Sequence, residues 1–367
     1  HTAYRRQRQM CIRDRYKMNL GLDIGRQFVK AVLLEKNRGG TKIVNTGIRL
    51  VPDQNKSYDP ELITKPMWVM AVRELMREMN INPKRVKNLV TSLNGTNVSV
   101  KQITTMDMPE DELFSSMTFE ARKHIPMDGS DAVIDFQVFG PNPKEVDKID
   151  IGLVACTKKV SNAHIELLKE IGFTPGIIDA DPIAISNSFG NSKDFPEEGA
   201  VVLFDIGSVS SSLVVWGRKD QFFTRDIPVG GYHFVSSLAE KLDIDYISAE
   251  DKMMKDGINS FQSTFENDLN DISVADKNIF DNLIEDVRRS LRYYAKTTNQ
   301  SFFTKIMISG GGSITAGLKE MMEEKLSLNT ELFNPFQSLA GFENIEISNP
   351  EQYAVATGLA VRGFLDE

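Results

Sequence analysis

Short apolar runs separated by turn residues, followed by a longer helical stripe, form the first repeating texture of this chain. The runs Leu20–Ile24 and Phe28–Leu34 predict strands over 19–24 and 28–35, with Asn37-Arg38-Gly39-Gly40 turning the chain into a third strand near 41–50. Asp53 to Pro60 reads as a polar loop. From Met67 to Met79 the period changes, and Met67, Met70, Ala71, Leu75 and Met79 fall on one face of a helix. That stripe reads either as core or as an adaptable methionine surface. Val86 to Ile103 reads as strand, Asn94-Gly95 turn and strand, the pattern of a hairpin.

A different unit follows. Pro109-Glu110-Asp111-Glu112 opens a helix, since proline fits the first turn and acids suit the positive end of the dipole. The helix is expected to stop near Ile125-Pro126, before strands over 133–139 and 149–157 and a helix from Ser161 to Ile171 ending at Gly172. The span 106–170 therefore reads as a compact α+β insert.

After a helical Pro182–Phe189 and a polar linker, 191–199, the opening pattern returns. Strands are predicted over 200–206, 210–217 and 221–227, then Gly230-Gly231 and a helix to Leu242. Helices are expected to fill much of 249–299, and a last strand, Lys305–Ile308, runs into Ser309-Gly310-Gly311-Gly312 and a helix over 314–326. A helix from Glu351 to Phe364 closes the chain. Three strands matching three strands indicate an internal repeat. The expected organisation is a first domain over 18–190 containing the insert, and a second over 200–367 with a helical subdomain at about 230–300.

Composition narrows the class. With 367 residues, 41% hydrophobic and 26% charged, the chain can build two ordinary globular cores. A net charge of −8 argues against nucleic acid as the main partner. No apolar run is long enough to span a bilayer, so direct membrane insertion is not expected. Cys156, in Leu153-Val154-Ala155-Cys156, reads as a buried strand residue, and the cysteine usage points to the cytoplasm. The segment 1–17 stands apart: Arg5, Arg6, Arg8, Arg13, Arg15 and Lys17 face Asp14 alone, without periodicity, directly before Met18. It is expected to be a non-native or disordered leader rather than a basic binding arm.

The candidate chemistry sits at strand ends. Asp23-Ile24-Gly25 and Asp205-Ile206-Gly207 each close an apolar run with a carboxylate and a glycine turn. Such a hairpin can organise a metal while bringing backbone N–H groups to a phosphate, although Asp-x-Gly is also an ordinary turn. Gly310, Gly311 and Gly312 leave an apolar strand for a helix, where glycines admit a planar base or a phosphate to the backbone. Asp181, before Pro182, fits either a helix cap or a catalytic carboxylate. Walker, dinucleotide-fingerprint, metal-cluster and nucleophile-elbow patterns are absent from the sequence.

In this order the two Asp-Ile-Gly hairpins, the Asp-Pro element and the triple glycine resemble the actin-like ATPase superfamily, and within it the PilM family of type IV pilus assembly proteins. The stretch Phe119-Glu120-Ala121-Arg122-Lys123-His124-Ile125-Pro126 with Val133-Ile134-Asp135-Phe136-Gln137-Val138 is similar to the inserted subdomain shared with FtsA-like proteins. The resemblance implies an α/β, actin-like fold: two RNase-H-like domains facing a nucleotide cleft, with a small α+β insert. It implies Asp23, Gly25 and Arg26 in a first phosphate loop, Asp205, Gly207 and Ser208 in a second, and Gly230, Glu250, Gly310, Gly311 and Gly312 around the nucleoside side. Asp23 and Asp205 would hold Mg2+ through water, and Asp181 would orient the attacking water. Arg26-Gln27-Phe28, where many relatives carry small hydroxyl residues, and Asp181, where many carry Glu, imply ATP binding with weak or no hydrolysis.

The resemblance implies a cytoplasmic ATP-binding scaffold that binds the N-terminal cytoplasmic peptide of PilN, links it to the assembly motor and is recruited to the inner-membrane pilus assembly complex, with self-association open. A small-molecule kinase on the same fold lacks a candidate base of its own. An FtsA-like membrane tether would need an amphipathic anchor after Gly363-Phe364-Leu365-Asp366-Glu367.

Overall fold

The computed structural model describes residues 17–365 apart from 54–55, 122, 124–131, 193–194, 219 and 262–277. The leader before Lys17, the Ile125-Pro126 break and parts of the expected linker and helical subdomain thus lie outside the described residues. Lys17, assigned to the leader from sequence, begins β1, opposite Lys36.

In chain order, β1 (Lys17–Ile24), β2 (Phe28–Asn37) and β3 (Gly40–Leu50) precede α1 (Lys65–Glu78) and β4 (Leu89–Leu93). Then come β5 (Val98–Met106), α2 (Glu110–Ala121), β6 (Ala132–Pro141), β7 (Lys148–Thr157), α3 (Lys158–Ile171), β8 (Ile177–Ala180) and α4 (Asp181–Gly190). The second half holds β9 (Ala200–Ile206), β10 (Ser211–Trp216), β11 (Phe223–Ile227), α5 (Gly231–Leu242), α6 (Tyr246–Asp256) and α7 (Ile279–Thr298). It ends with β12 (Phe303–Ser309), α8 (Leu318–Leu326), β13 (Thr330–Leu332) and α9 (Ala354–Arg362).

The internal repeat is complete at the level of topology. One five-stranded sheet runs β3-β2-β1-β4-β8 and the other β11-β10-β9-β12-β13, each with antiparallel pairs on one side of its first strand and parallel pairs on the other.

Strand alternation builds the layers. Leu20 and Leu22 of β1 face the core under α1 and α3, made by Val69, Val72, Leu75, Leu168 and Ile171. In β9, Val202, Phe204 and Ile206 face α5 and α7, whereas Val201 and Leu203 turn to the opposite side. There they meet α4 and α9 through Ala184, Ile185, Phe189, Val355 and Leu359, a layer lying between the two sheets. The first sheet reaches that layer too: a Cβ on Gly21 would lie 2.1 Å from the Ala356 carbonyl oxygen. Asp23 shares the Gly21 parity and Asp205 the Leu203 parity, so each carboxylate lies on the inner face of its sheet, at the strand's end.

Several sequence expectations change. The β4–β5 segment is not a hairpin: β4 pairs in parallel with β1 and β8, while β5 pairs with β7 in a third sheet, ordered β5-β7-β6. The insert therefore begins at Val98 rather than 106, and α3, placed inside it from sequence, instead buries Leu167, Leu168 and Ile171 in the first core. In α1 the buried face is Val69, Ala71, Val72, Leu75 and Met76, with Met70 exposed to solvent, so the methionines do not form one stripe. The helix expected over 314–326 starts at Leu318, after a 3-10 turn at Gly311–Ile314.

Candidate functional site

The inner ends of the two sheets bring charged groups together. Asp23 pairs directly with Lys30 across the β1–β2 ladder, and Lys30 Nζ lies 2.9 Å from Asp23 Oδ2, with both side chains largely buried. Asp205 stands beside Ser309 in the β9–β12 register, and the Ser309 hydroxyl donates to its Oδ1 at 2.7 Å. Asp181 is the first residue of α4 and accepts from the Ser92 hydroxyl at 2.5 Å.

These groups feel one another. Burial opposes the charge on Lys30, yet the neighbouring Asp23, with Asp205 and Asp181, holds its ammonium above the usual lysine range. Burial, then the Asp23 charge, pushes the Asp181 carboxyl well up, against the opposing Ser92 hydrogen bond. Burial also raises Asp205, against the Ser309 bond and Lys30. Three carboxylates facing one ammonium leave an excess of negative charge that a cation would relieve.

Around this cluster the glycines have steric reasons. The Gly25 N–H donates to the Phe28 carbonyl at 3.1 Å and the Gly207 N–H to the Ser210 carbonyl at 3.0 Å, one tight turn built twice. A Cβ would lie 2.7 Å from the Phe28 oxygen in the first turn and 2.8 Å from the Ser210 oxygen in the second. The start of α5 grips the second turn: the Gly231 N–H donates to the Gly207 carbonyl at 2.9 Å and the Tyr232 N–H to the Ser208 carbonyl at 2.8 Å. At Gly230 a Cβ would stand 2.5 Å from the Gly207 oxygen, so only glycine permits that grip.

The triple glycine packs onto the same hairpin. Gly310 has φ +84°, and its Cβ position lies 2.4 Å from the Ile206 carbonyl oxygen; that of Gly312 lies 2.3 Å from the Ile206 side chain. Gly311 differs, with nothing within 4 Å of its Cβ position, and presents open backbone. Asp205, Gly207, Ser208, Gly230 and the three glycines thus form one wall, and Asp23, Gly25 and Asp181 belong to the first half.

Two candidates sit apart. Arg26 donates to the Pro60 carbonyl at 2.8 Å and lies 4.0 Å from Glu61, which directs it to the loop after β3. Glu250 lies on α6, where burial, then Asp251, raises its carboxyl. Among the described residues no hydrogen bond joins it to the triple glycine, although α6 continues into Gly257–Phe261, whose Ile258 N–H donates to the Ala316 carbonyl at 3.0 Å.

Sequence reading missed Lys30, Ser92, Ser309 and Tyr58. For Lys30 a signal existed, since pairing the two predicted strands through the Gly25 turn sets it opposite Asp23. The serines come from strands adjacent only in the fold. Tyr58, in the loop after β3, bonds the Ser208 hydroxyl at 2.6 Å.

A second feature lies at the insert. A groove of about 1070 Å³ runs between the third sheet, β8–α4 and the β10–β11 connection, with Gln102, Phe136, Asp179, Trp216, Phe222 and Arg362 in its lining. The second half grips the insert there: the Phe222 N–H donates to Gln102 Oε1 at 2.7 Å and the Thr224 hydroxyl to the Val100 carbonyl at 2.8 Å. Lys144 reaches the Thr298 carbonyl at 3.1 Å. Among the described residues no helix is long and apolar enough to cross a membrane.

Known proteins share this fold. A family model described as type IV pilus assembly protein PilM matches residues 21–364. A solved PilM-PilN type IV pilus biogenesis complex superposes with a TM-score of 0.77 at 23% identity, covering 94% of this chain and 98% of that one. The ethanolamine utilization protein EutJ from Carboxydothermus hydrogenoformans gives 0.53 at 13% identity, covering 94% of this chain and 89% of its own. A diol dehydratase-reactivating factor, solved in nucleotide-free form, gives 0.53 at 11% identity, with 96% and 100% covered. At these identities the structures establish the fold, which is actin-like.

Proposed function

Since this chain belongs to the PilM family of type IV pilus assembly proteins, we propose that it is a nucleotide-binding scaffold that holds Mg-ATP between its two halves and captures the N-terminal cytoplasmic peptide of PilN. The observation that carries the nucleotide half is the cluster of Asp23, Asp181, Asp205 and Lys30, bordered by two glycine turns and the open backbone of Gly311. Phosphates would lie against the Gly25 and Gly207 turns, with Lys30 supplying a positive charge. The nucleoside would approach Gly311, and Glu250 and Arg26 would act at the rim.

The donor set suits magnesium in one way. Among the described residues no three acidic, histidine or cysteine groups come close enough to bind a metal by themselves. Mg2+ keeps several waters and takes much of its shell from phosphates, so Asp23 and Asp205 would hold it through water. When bound, it would neutralise the charge of the phosphates. Asp181, held by Ser92, would orient a water toward the terminal phosphate.

The groove beside the insert would take the peptide, because it is large, mixed in polarity and bounded by the edge strand β6. In that role the protein works in the cytoplasm and is recruited to the inner-membrane assembly complex by its partner.

The test is calorimetric titration of ATP and magnesium into wild type and Asp23→Ala, alongside a labelled PilN N-terminal peptide. Wild type is expected to bind both, and Asp23→Ala to lose tenfold or more in ATP affinity while keeping the peptide. Equal ATP affinity in the two proteins would rule out the assigned cleft. Absence of peptide binding would rule out the scaffold role.

A further inference from the structure

Tyr58 belongs to the first half in sequence and to both halves in contact. It is 5% exposed, within the core cluster that includes Leu20, Val72 and Leu168. Its ring meets Tyr232 of α5 edge-on at 5.6 Å and Tyr246 of α6 at 6.4 Å, and those two rings stack at 5.6 Å. Its hydroxyl lies 2.6 Å from the Ser208 hydroxyl, in the second glycine turn. Two residues on, the Pro60 carbonyl accepts from Arg26, in the first glycine turn. One short segment therefore touches both turns that are proposed to cradle phosphates.

We infer that Tyr58 is a positioning residue of the cleft: it fastens the Ser208 turn and the start of α5 to the first half, and nucleotide release requires that fastening to open. The inference rests on the nucleotide reading above.

The fastening is built from parts that can yield. The hydroxyl pair is a single neutral hydrogen bond, and edge-on ring contacts are individually weak. Burial pushes the Tyr58 hydroxyl up to about 12, so it remains a neutral donor and acceptor throughout the physiological range. Tyr58 acts through Ser208, whose carbonyl anchors the Tyr232 N–H at 2.8 Å. Loosening Tyr58 therefore loosens both the turn and the helix start behind it. The contacts at the insert, Val100 with Thr224 and Gln102 with Phe222, involve other residues and remain when Tyr58 is changed.

The experiment measures release of a fluorescent ATP analogue by stopped-flow chase from wild type, Tyr58→Phe and Tyr58→Ala, together with amide exchange of the ligand-free proteins. Tyr58→Phe keeps the ring and removes the hydroxyl, and is expected to raise the release rate severalfold. Tyr58→Ala is expected to raise it tenfold or more, equivalent to about 1.4 kcal/mol. In both variants the amides of Gly231 and Tyr232 should exchange faster without ligand. Wild-type release rates in both variants would overturn the inference, even if the unfolding temperature falls, because that pattern is structural support alone. Unchanged exchange at Gly231 and Tyr232 would overturn it as well. A wild type that takes up no analogue would sink the nucleotide reading itself, a failure distinct from normal uptake with unaltered release.

Discussion

Asp181 shows what the proposed nucleotide cleft costs the ligand-free protein. Its folded carboxyl takes up a proton more readily than the unfolded one, whose ordinary value is 3.8. Between that value and the raised one the native state binds more protons, so its contribution to stability declines as pH rises through the window. Asp181→Asn removes the charge and keeps the shape. We expect it to stabilise the ligand-free protein, and by more at pH 8 than at pH 5. Urea unfolding at the two pH values checks this, and an equal effect at both would contradict it. At this scale Asp23, Asp205 and Asp181 were legible because carboxylates at strand ends beside glycine or proline are local patterns. Ser92 and Ser309 were not, since a serine in an apolar strand carries no sign of the carboxylate across the sheet.

Among elements, the two helices between the sheets set the tightest tolerance. A Cβ on Gly358 of α9 would fall 1.7 Å from the Ala184 carbonyl oxygen of α4, a clash with backbone that no rotamer change relieves. Gly358→Ala should destabilise by about 3 kcal/mol or more, read as a large fall in unfolding temperature or loss of folded protein. Gly311→Ala is the contrast. Its Cβ meets open space, so thermal unfolding should be unchanged while ATP affinity falls severalfold. Parallel behaviour of the two variants in both measurements would contradict this division. The strands of the repeat were readable from their apolar runs and turns. The β4–β5 pair was misread as a hairpin because a hairpin and two strands leaving for different sheets look alike until partners are known. The 3-10 turn Gly311–Ile314 replaced the expected helix start because Gly310, Gly312 and Gly317 fit close approaches there, not helical propensity.

The whole molecule places its groove where movement between the halves would be felt. One wall, β8 with α4, begins at Ile177 and carries Asp181 into the charged cluster without an intervening loop. Another wall is the insert, held to the second half through Thr224, Phe222 and the Lys144–Thr298 contact. Nucleotide and PilN peptide should therefore change each other's affinity, by the factor of about 5–150 usual for coupled sites. Peptide titration with and without Mg-ATP measures the factor, and Thr224→Val should reduce it while leaving ATP affinity itself unaltered. Identical peptide affinity in both conditions would show that the sites are independent. The two domains were visible in sequence as a repeat, but packing does not follow the expected division at residue 200. Phe336, Leu339, Tyr353, Ala356, Ala360 and Phe364, near the chain's end, pack against Val32, Leu34 and Ile43 in the first sheet.

That return of the chain has a consequence during synthesis. On the ribosome β1, β2 and β3 emerge long before the residues that cover one of their faces. Until residues 336–364 leave the exit tunnel, Val32, Leu34 and Ile43 lack that cover, so the nascent first half keeps an apolar face exposed through most of its synthesis.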